Sequence, residues 1–325
     1  MYRIHDEAIE NQNVIVLESD SGDFAATICP GFGGACTSLR HGDHELLHKA
    51  NVFTDGAMKG RIPVLFPVVG RSFQKGELGT YKHRGTIHPM DIHGFVKDRP
   101  WREIDRECSS DQASVTIEIR PDNDTRRFYP YDFSLAIEYA IEGTCLSLIA
   151  TVRNLSKDTM PFCFGYHPYF RAPIGDGKRG DCIVRIPGRK IWEMFEGQPT
   201  GHQIDAPAAF AQGMHLPLDH LEKILTKISP PRRRGEEADP RPVSSFSYCE
   251  LECPEVGKII RVGFDEQALE TITVYSPPDS GFVCLEPRCG LPNALSDTAP
   301  VKDGMKELAS GEEFTTTVRI RVILT

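Results

Sequence analysis

Phe133-Ser134-Leu135-Ala136-Ile137-Glu138-Tyr139-Ala140-Ile141 alternates large apolar side chains with small or polar ones. Glu142-Gly143-Thr144 separates it from a second run, Cys145-Leu146-Ser147-Leu148-Ile149-Ala150-Thr151-Val152. Successive side chains of a strand point to opposite faces, so this alternation predicts two half-buried strands, and the glycine between them predicts a hairpin. Further β-rich runs lie outward in both directions, alternating most cleanly at 114–120 and 314–324. Residues 13–17, 24–29 and 114–120 precede the hairpin; residues 258–264, 269–278, 281–290 and 314–324 follow, the last with Arg319 and Arg321 on its wet face. Helical periodicity is weak and no internal repeat is evident. The expected fold class is all-β, built from a large antiparallel sheet with few short helices.

Composition narrows the function. With 325 residues and 40% hydrophobic content the chain can bury a large core. A net charge of -9 without a basic stripe argues against nucleic acid, which is bound chiefly by excess positive charge. Neither an apolar leader after Met1 nor an apolar run near membrane-spanning length is present, so a cytoplasmic protein with no membrane partner is expected. The ten cysteines are scattered through strand-like segments, which predicts buried free thiols, and the glycosylation-like sites at Asn123 and Asn154 are then chance matches.

Several motifs mislead. Gly31-Phe32-Gly33-Gly34 lacks the third glycine of a dinucleotide fingerprint, because Cys36 stands there and no helix follows; the glycines suit a hairpin. His41, His44 and His48 straddle a turn without zinc-site spacing and read as solvated. His83 and His88 read as surface residues. The proline- and arginine-rich stretch 229–245 reads as a solvated loop.

Three titratable groups share one signature. His93 in Ile92-His93-Gly94-Phe95, His167 in Phe162-Cys163-Phe164-Gly165-Tyr166-His167-Pro168-Tyr169-Phe170, and Glu286 in Val283-Cys284-Leu285-Glu286-Pro287 are flanked by apolar residues and abut Gly or Pro where strands end. His167 read alone is better taken as a satisfied core histidine. Taken together the three can supply an acid and a base, and a buried carboxylate is costly unless paired or useful. The aromatic run, Phe164 included, suits a sugar whose C–H face packs on rings. Arg71, after Pro63-Val64-Leu65-Phe66-Pro67 and Gly70, offers a planar fork that can donate to two sugar oxygens.

These segments, together with Tyr275-Ser276-Pro277-Pro278 and the closing Leu308-Ala309-Ser310-Gly311-Glu312, fall in the order seen in the aldose 1-epimerase (galactose mutarotase) family, which the chain resembles over nearly its whole length. The resemblance implies a single β-sandwich domain over residues 1–325 with a sugar cleft. It also implies an isomerase that exchanges the α and β anomers of a hexose without cofactor or metal. In that pattern Glu286 is the base, His167 the acid, His93 a further catalytic group holding ring or hydroxyl oxygens, and Arg71 a hydroxyl-binding group. The family's additional substrate-binding aspartate has two local counterparts, Glu222 and Asp219. Lys97, with Arg99 and Arg84 nearby, keeps open a hexose 6-phosphate as substrate, since lysine binds phosphate as a point charge. The partner is thus an aldohexose, phosphorylated or not, and the chain a monomer or homodimer. A carbohydrate-binding protein without turnover is the alternative on the same fold.

Overall fold

The computed structural model describes residues 1–49, 60–228 and 246–325; the stretch 229–245 expected to be a solvated loop lies outside them. Among the described residues the chain is all-β, with two short α-helices, Thr125–Phe128 and Ala208–Gln212. No helix of the described residues is long and apolar enough to cross a membrane.

The hairpin forms as its alternation dictates. Strand Phe133–Glu142 pairs antiparallel with Cys145–Asn154, setting Leu135 opposite Val152, Ile137 opposite Ala150, Tyr139 opposite Leu148 and Ile141 opposite Leu146. All eight are buried. Each fully buried Leu or Ile contributes on the order of 2 kcal/mol, so this face anchors the sheet. The sheet has nine strands, running from Arg102–Cys108 through Ala113–Ile119, the hairpin, Glu313–Leu324, Lys258–Asp265 and Phe246–Cys253 to the short pieces Ile183–Arg185 and Met214–His215. A five-stranded meander, Arg3–Ile9 to His44–Glu45, contributes Leu17, Phe24 and Ile28 to the same hydrophobic cluster.

An eight-stranded sheet carries the chemistry. Its order is Gln198–Asp205, Gly188–Phe195, Leu221–Ile228, Thr271–Ser276, Phe282–Cys289, Phe164–Tyr166 and, at the edge, Val64–Leu65, with Tyr169–Arg171 also paired to Phe282–Cys289. The apolar run between Pro63 and Pro67 supplies the edge strand Val64–Leu65. One face of this sheet sends Leu225, Ile272, Val274 and Leu285 into the core shared with the nine-stranded sheet. By the period-2 rule the residues between them point the other way.

Pro287 explains a break in this sheet. Phe164 pairs with Cys289 and Gly165 with Arg288; beyond the interruption Tyr169 pairs with Cys284 and Phe170 with Val283. A proline cannot donate to a ladder, and Pro287 falls where the neighbouring strand is interrupted at His167-Pro168. The same register, carried through the break, sets His167 directly across from Glu286.

Some expectations need correction. His41 and His44 flank their turn but are half-buried, His44 lying 3.3 Å from the Lys258 ammonium. His83 is also half-buried, bonded to the Tyr131 hydroxyl at 2.6 Å. The tertiary packing of these loops, invisible to local polarity, draws them in. All ten cysteines are free, and Cys108 alone is exposed. Asn154 is fully buried, its amide donating to the carbonyls of Asp158 and Leu308, as a chance glycosylation match requires.

The loop that carries His93 depends on one glycine. Gly94 has φ +78, and a Cβ there would lie 2.0 Å from the Phe66 carbonyl oxygen. Gly85 has a similar φ of +81 but open space around it. Gly94→Ala should therefore destabilise the protein by about 3 kcal/mol or more, and Gly85→Ala by only about 1 kcal/mol. Thermal melts of the two variants check this; equal shifts would contradict the close-approach argument.

Candidate active site

Alternation along three neighbouring strands builds the floor of a cavity of about 570 Å³. Glu286 and Arg288 come from Phe282–Cys289, Thr273 and Tyr275 from Thr271–Ser276, and Glu222 and Ile224 from Leu221–Ile228. His167 and Tyr169 enter from the interrupted strand, and Gly70, Arg71 and His93 from two loops at one side.

The centre of the floor is an acid–base pair. His167 Nε2 lies 3.3 Å from Glu286 Oε1, with the two side chains 5% and 2% exposed. The His167 backbone N–H donates to the Pro63 carbonyl at 3.0 Å, and its ring stacks on Tyr169 at 4.5 Å and 13°. These contacts hold the imidazole over the carboxylate.

Burial acts on the two partners in opposite directions. It pushes the Glu286 carboxyl up to about 8, against the pull of the Arg288 guanidinium. It pushes His167 down to about 3, and here Arg288 adds to the effect. Removing a charge from low-dielectric surroundings is favoured for both groups. At neutral pH the free pair thus carries one proton, and it rests on the carboxyl.

His93 supports the pair from the side. Its ring stands edge-on to His167 at a centroid distance of 5.2 Å. The Gly70 backbone N–H donates to His93 Nδ1 at 3.0 Å, while the His93 backbone N–H donates to the Gly70 carbonyl at 2.8 Å. An Nδ1 that accepts leaves the proton on Nε2, so His93 is fixed as a donor. Burial and then the neighbouring His167 hold it well below the usual imidazole range, and it stays neutral.

The remaining expected site residues divide. Arg71 lines the cavity and is exposed. Of the two acids, Glu222 lines the cavity and accepts from His220 Nε2 at 3.2 Å, whereas Asp219 is exposed and outside the lining. Phe164 is fully buried and packs edge-on against Tyr166, so it belongs to the core and not to a sugar-facing wall. The aromatic run splits between core and cavity, and Tyr169 is its member that lines the cleft. Lys97 is likewise turned inward. Its ammonium donates to the Gly94 carbonyl at 2.8 Å and pairs with Asp98, within the short 3-10 turn Val96–Asp98. Arg84 and Arg99 pair with Asp158 and Asp124. None of the three basic residues lines the cavity.

Arg288, Thr273, Tyr275 and Tyr169 were not singled out from sequence. Arg288 follows Glu286 by two residues and Tyr169 follows His167 by two, so strand periodicity carried the signal. Among the described residues, His167, Cys284 and Glu286 bring donor atoms within 4.8 Å of one another. Burial holds the Cys284 thiol well above its usual range, and the Arg288 guanidinium 3.9 Å from Glu286 opposes a cation. The group is better suited to moving a proton than to holding a metal.

The sequence matches the family model described as aldose 1-epimerase over residues 15–321. The chain is 30% identical over 283 residues to the chromosomal LacX protein of Lactococcus lactis subsp. lactis, covering 83% of this chain and 87% of that protein. A putative glucose-6-phosphate 1-epimerase of Escherichia coli K12 is 28% identical over 107 residues, 32% of each chain. In fold, a galactose mutarotase-like protein from Clostridium acetobutylicum superposes with a TM-score of 0.86 at 20% identity, over 100% of this chain and 99% of that one. With the match running from the second strand into the last, the chain belongs to the aldose 1-epimerase family.

Proposed function

We propose that the protein is an aldose 1-epimerase, interconverting the α and β anomers of an aldohexose by acid–base opening and reclosure of the ring. The observation that carries this reading is the buried His167–Glu286 pair, 3.3 Å apart on a cavity floor. Anomer exchange needs one base for the anomeric hydroxyl and one acid for the ring oxygen. Transfer of the shared proton from Glu286 to His167 produces both at once, a carboxylate and an imidazolium.

The steps then balance. Glu286 takes the proton of the anomeric hydroxyl, C1–O1 becomes a carbonyl, the C1–O5 bond breaks, and His167 gives its proton to O5. The open-chain aldehyde faces a neutral pair with the proton on Glu286, which is the state that burial favours. Rotation about C1–C2 and the reverse transfers close the ring on its other face. His93 Nε2–H serves as a fixed donor to a sugar oxygen, Glu222 and Arg71 meet hydroxyls at the rim, and Tyr169 and Tyr275 offer apolar surface to the sugar.

A second reading, a hexose 6-phosphate substrate, rests on Arg71. It is the exposed cation of the lining and makes no ion pair among the described residues. With Lys97 engaged elsewhere, Arg71 is the group that would meet a phosphate. Polarimetry of freshly dissolved α-D-glucose, α-D-galactose and glucose 6-phosphate tests both readings. Faster relaxation to the anomeric equilibrium is expected for at least one sugar. Unaltered relaxation for all, with binding retained, would leave a sugar-binding protein without turnover.

Glu286→Gln should lower kcat by about 10²–10⁴-fold while the far-UV circular dichroism spectrum is unchanged. Near-normal turnover in a folded Gln variant would falsify the assignment of Glu286 as base.

The pH profile follows from the pair. Activity should persist through the acidic range and decline as pH rises past about 8, where Glu286 loses the shared proton. His167, pushed down to about 3, cannot supply one in its place. A profile of the enzyme-catalysed rate that instead declines between about pH 6 and 7 would report an ordinary imidazole and contradict this account.

A further inference from the structure

Four buried polar atoms on the cavity floor have no hydrogen-bond partner among the described residues: His167 Nδ1, Thr273 Oγ1, Glu286 Oε2 and Arg288 Nε. Buried polar atoms are nearly always paired, so neighbouring orphans mark where a ligand's polar atoms belong. Arg288 is the least expected of them. It is 3% exposed, sits two residues beyond Glu286 on the same strand face, and its guanidinium makes no hydrogen bond among the described residues.

The distance between the two side chains selects the ligand atom. Arg288 Nη1 lies 3.9 Å from Glu286 Oε2, beyond hydrogen-bond reach. A single oxygen that accepts from the guanidinium and donates to the carboxylate satisfies both. A hydroxyl does this once the shared proton has moved to His167 and left Glu286 ionised; a phosphate or carboxylate oxygen would accept from Arg288 but face that carboxylate as a like charge.

On the reading of the site as an aldose 1-epimerase, that hydroxyl is the anomeric one. We propose that Arg288 is a catalytic residue that donates a hydrogen bond to the anomeric oxygen while Glu286 removes its proton. As the O1–H bond breaks toward Glu286, negative charge grows on O1 until the C1–O5 bond breaks and C1–O1 becomes a carbonyl. A fixed guanidinium in a water-poor site stabilises that charge without reorganisation. The planar fork can reach O1 from Nε or Nη while keeping its charge near Glu286, which a lysine ammonium cannot do equally well.

The test measures kcat and KM for wild type, Glu286→Gln, Arg288→Gln and Arg288→Lys on the aldose that wild type turns over fastest, with thermal melts of each. Arg288→Gln should lower kcat by about 10²–10³-fold with KM little changed. Added guanidinium ion should restore part of the rate to Arg288→Gln and none to Glu286→Gln. Because Arg288 holds both partners of the pair down, its removal should also move the alkaline decline to higher pH. Should the Gln variant melt early, Arg288→Lys decides: it should stay folded and lose at least about tenfold in kcat. An active wild type with an inactive Glu286→Gln but unimpaired kcat in the folded Arg288 variants overturns this proposal alone. A wild type inactive on every aldose overturns the underlying reading as well.

Discussion

A carboxylic acid and an imidazole facing each other inside a sheet, with little water at either, set the terms for the rest of this protein. The register of Phe164–Tyr166 and Tyr169–Arg171 on Phe282–Cys289 is the same on both sides of the interruption at His167-Pro168. That register puts Glu286 and His167 opposite each other. Without the core beneath that sheet, formed by Leu225, Ile272, Val274 and Leu285, the carboxyl would be hydrated and ordinary.

The pair is a liability as well as a device. Glu286 has its folded value raised from 4.5 to about 8. Its contribution to stability is therefore complete below its unfolded value and is lost as pH rises through about 8, by about 5 kcal/mol at most. His167 runs the other way. Its folded value is depressed, so its contribution is complete above about 6.5 and is lost as pH falls through about 3. Tight packing around the site offsets these terms, and the Gly94 turn against Phe66 is part of that packing, because it fixes His93 beside the pair. Function here is obtained at some expense of stability, as is common at active sites.

Much of this could be read from residues alone. The strands around Gly143 and the closing strand announce themselves by alternation. His93, His167 and Glu286 stand out because each is titratable among apolar neighbours and next to Gly or Pro. What escaped was which face each neighbour occupies. Phe164 lies in an aromatic run, and a run on a strand divides between two faces, so it went to the core while Tyr169 went to the cavity. Lys97 follows His-Gly-Phe in a loop, yet a single 3-10 turn folds its ammonium back onto the Gly94 carbonyl. The half-buried state of His41, His44 and His83 depends on distant segments such as Lys258 and Tyr131, which no local pattern reports. The spacing of Arg288 from Glu286 puts the two on one strand face, but that spacing marks a function only once the burial of the arginine is known.

The central claim is that one proton is shared by a buried pair and rests on the carboxyl in the free protein. Nuclear magnetic resonance on protein labelled with ¹⁵N in histidine and ¹³C in the glutamate carboxyl, with His167 and Glu286 signals assigned by substitution, measures it directly. The account predicts a neutral His167 imidazole across the range from about pH 5 to 9, with the Glu286 carboxyl losing its proton near 8. A His167 that titrates near 6.5 beside a Glu286 already ionised at pH 6 would contradict it.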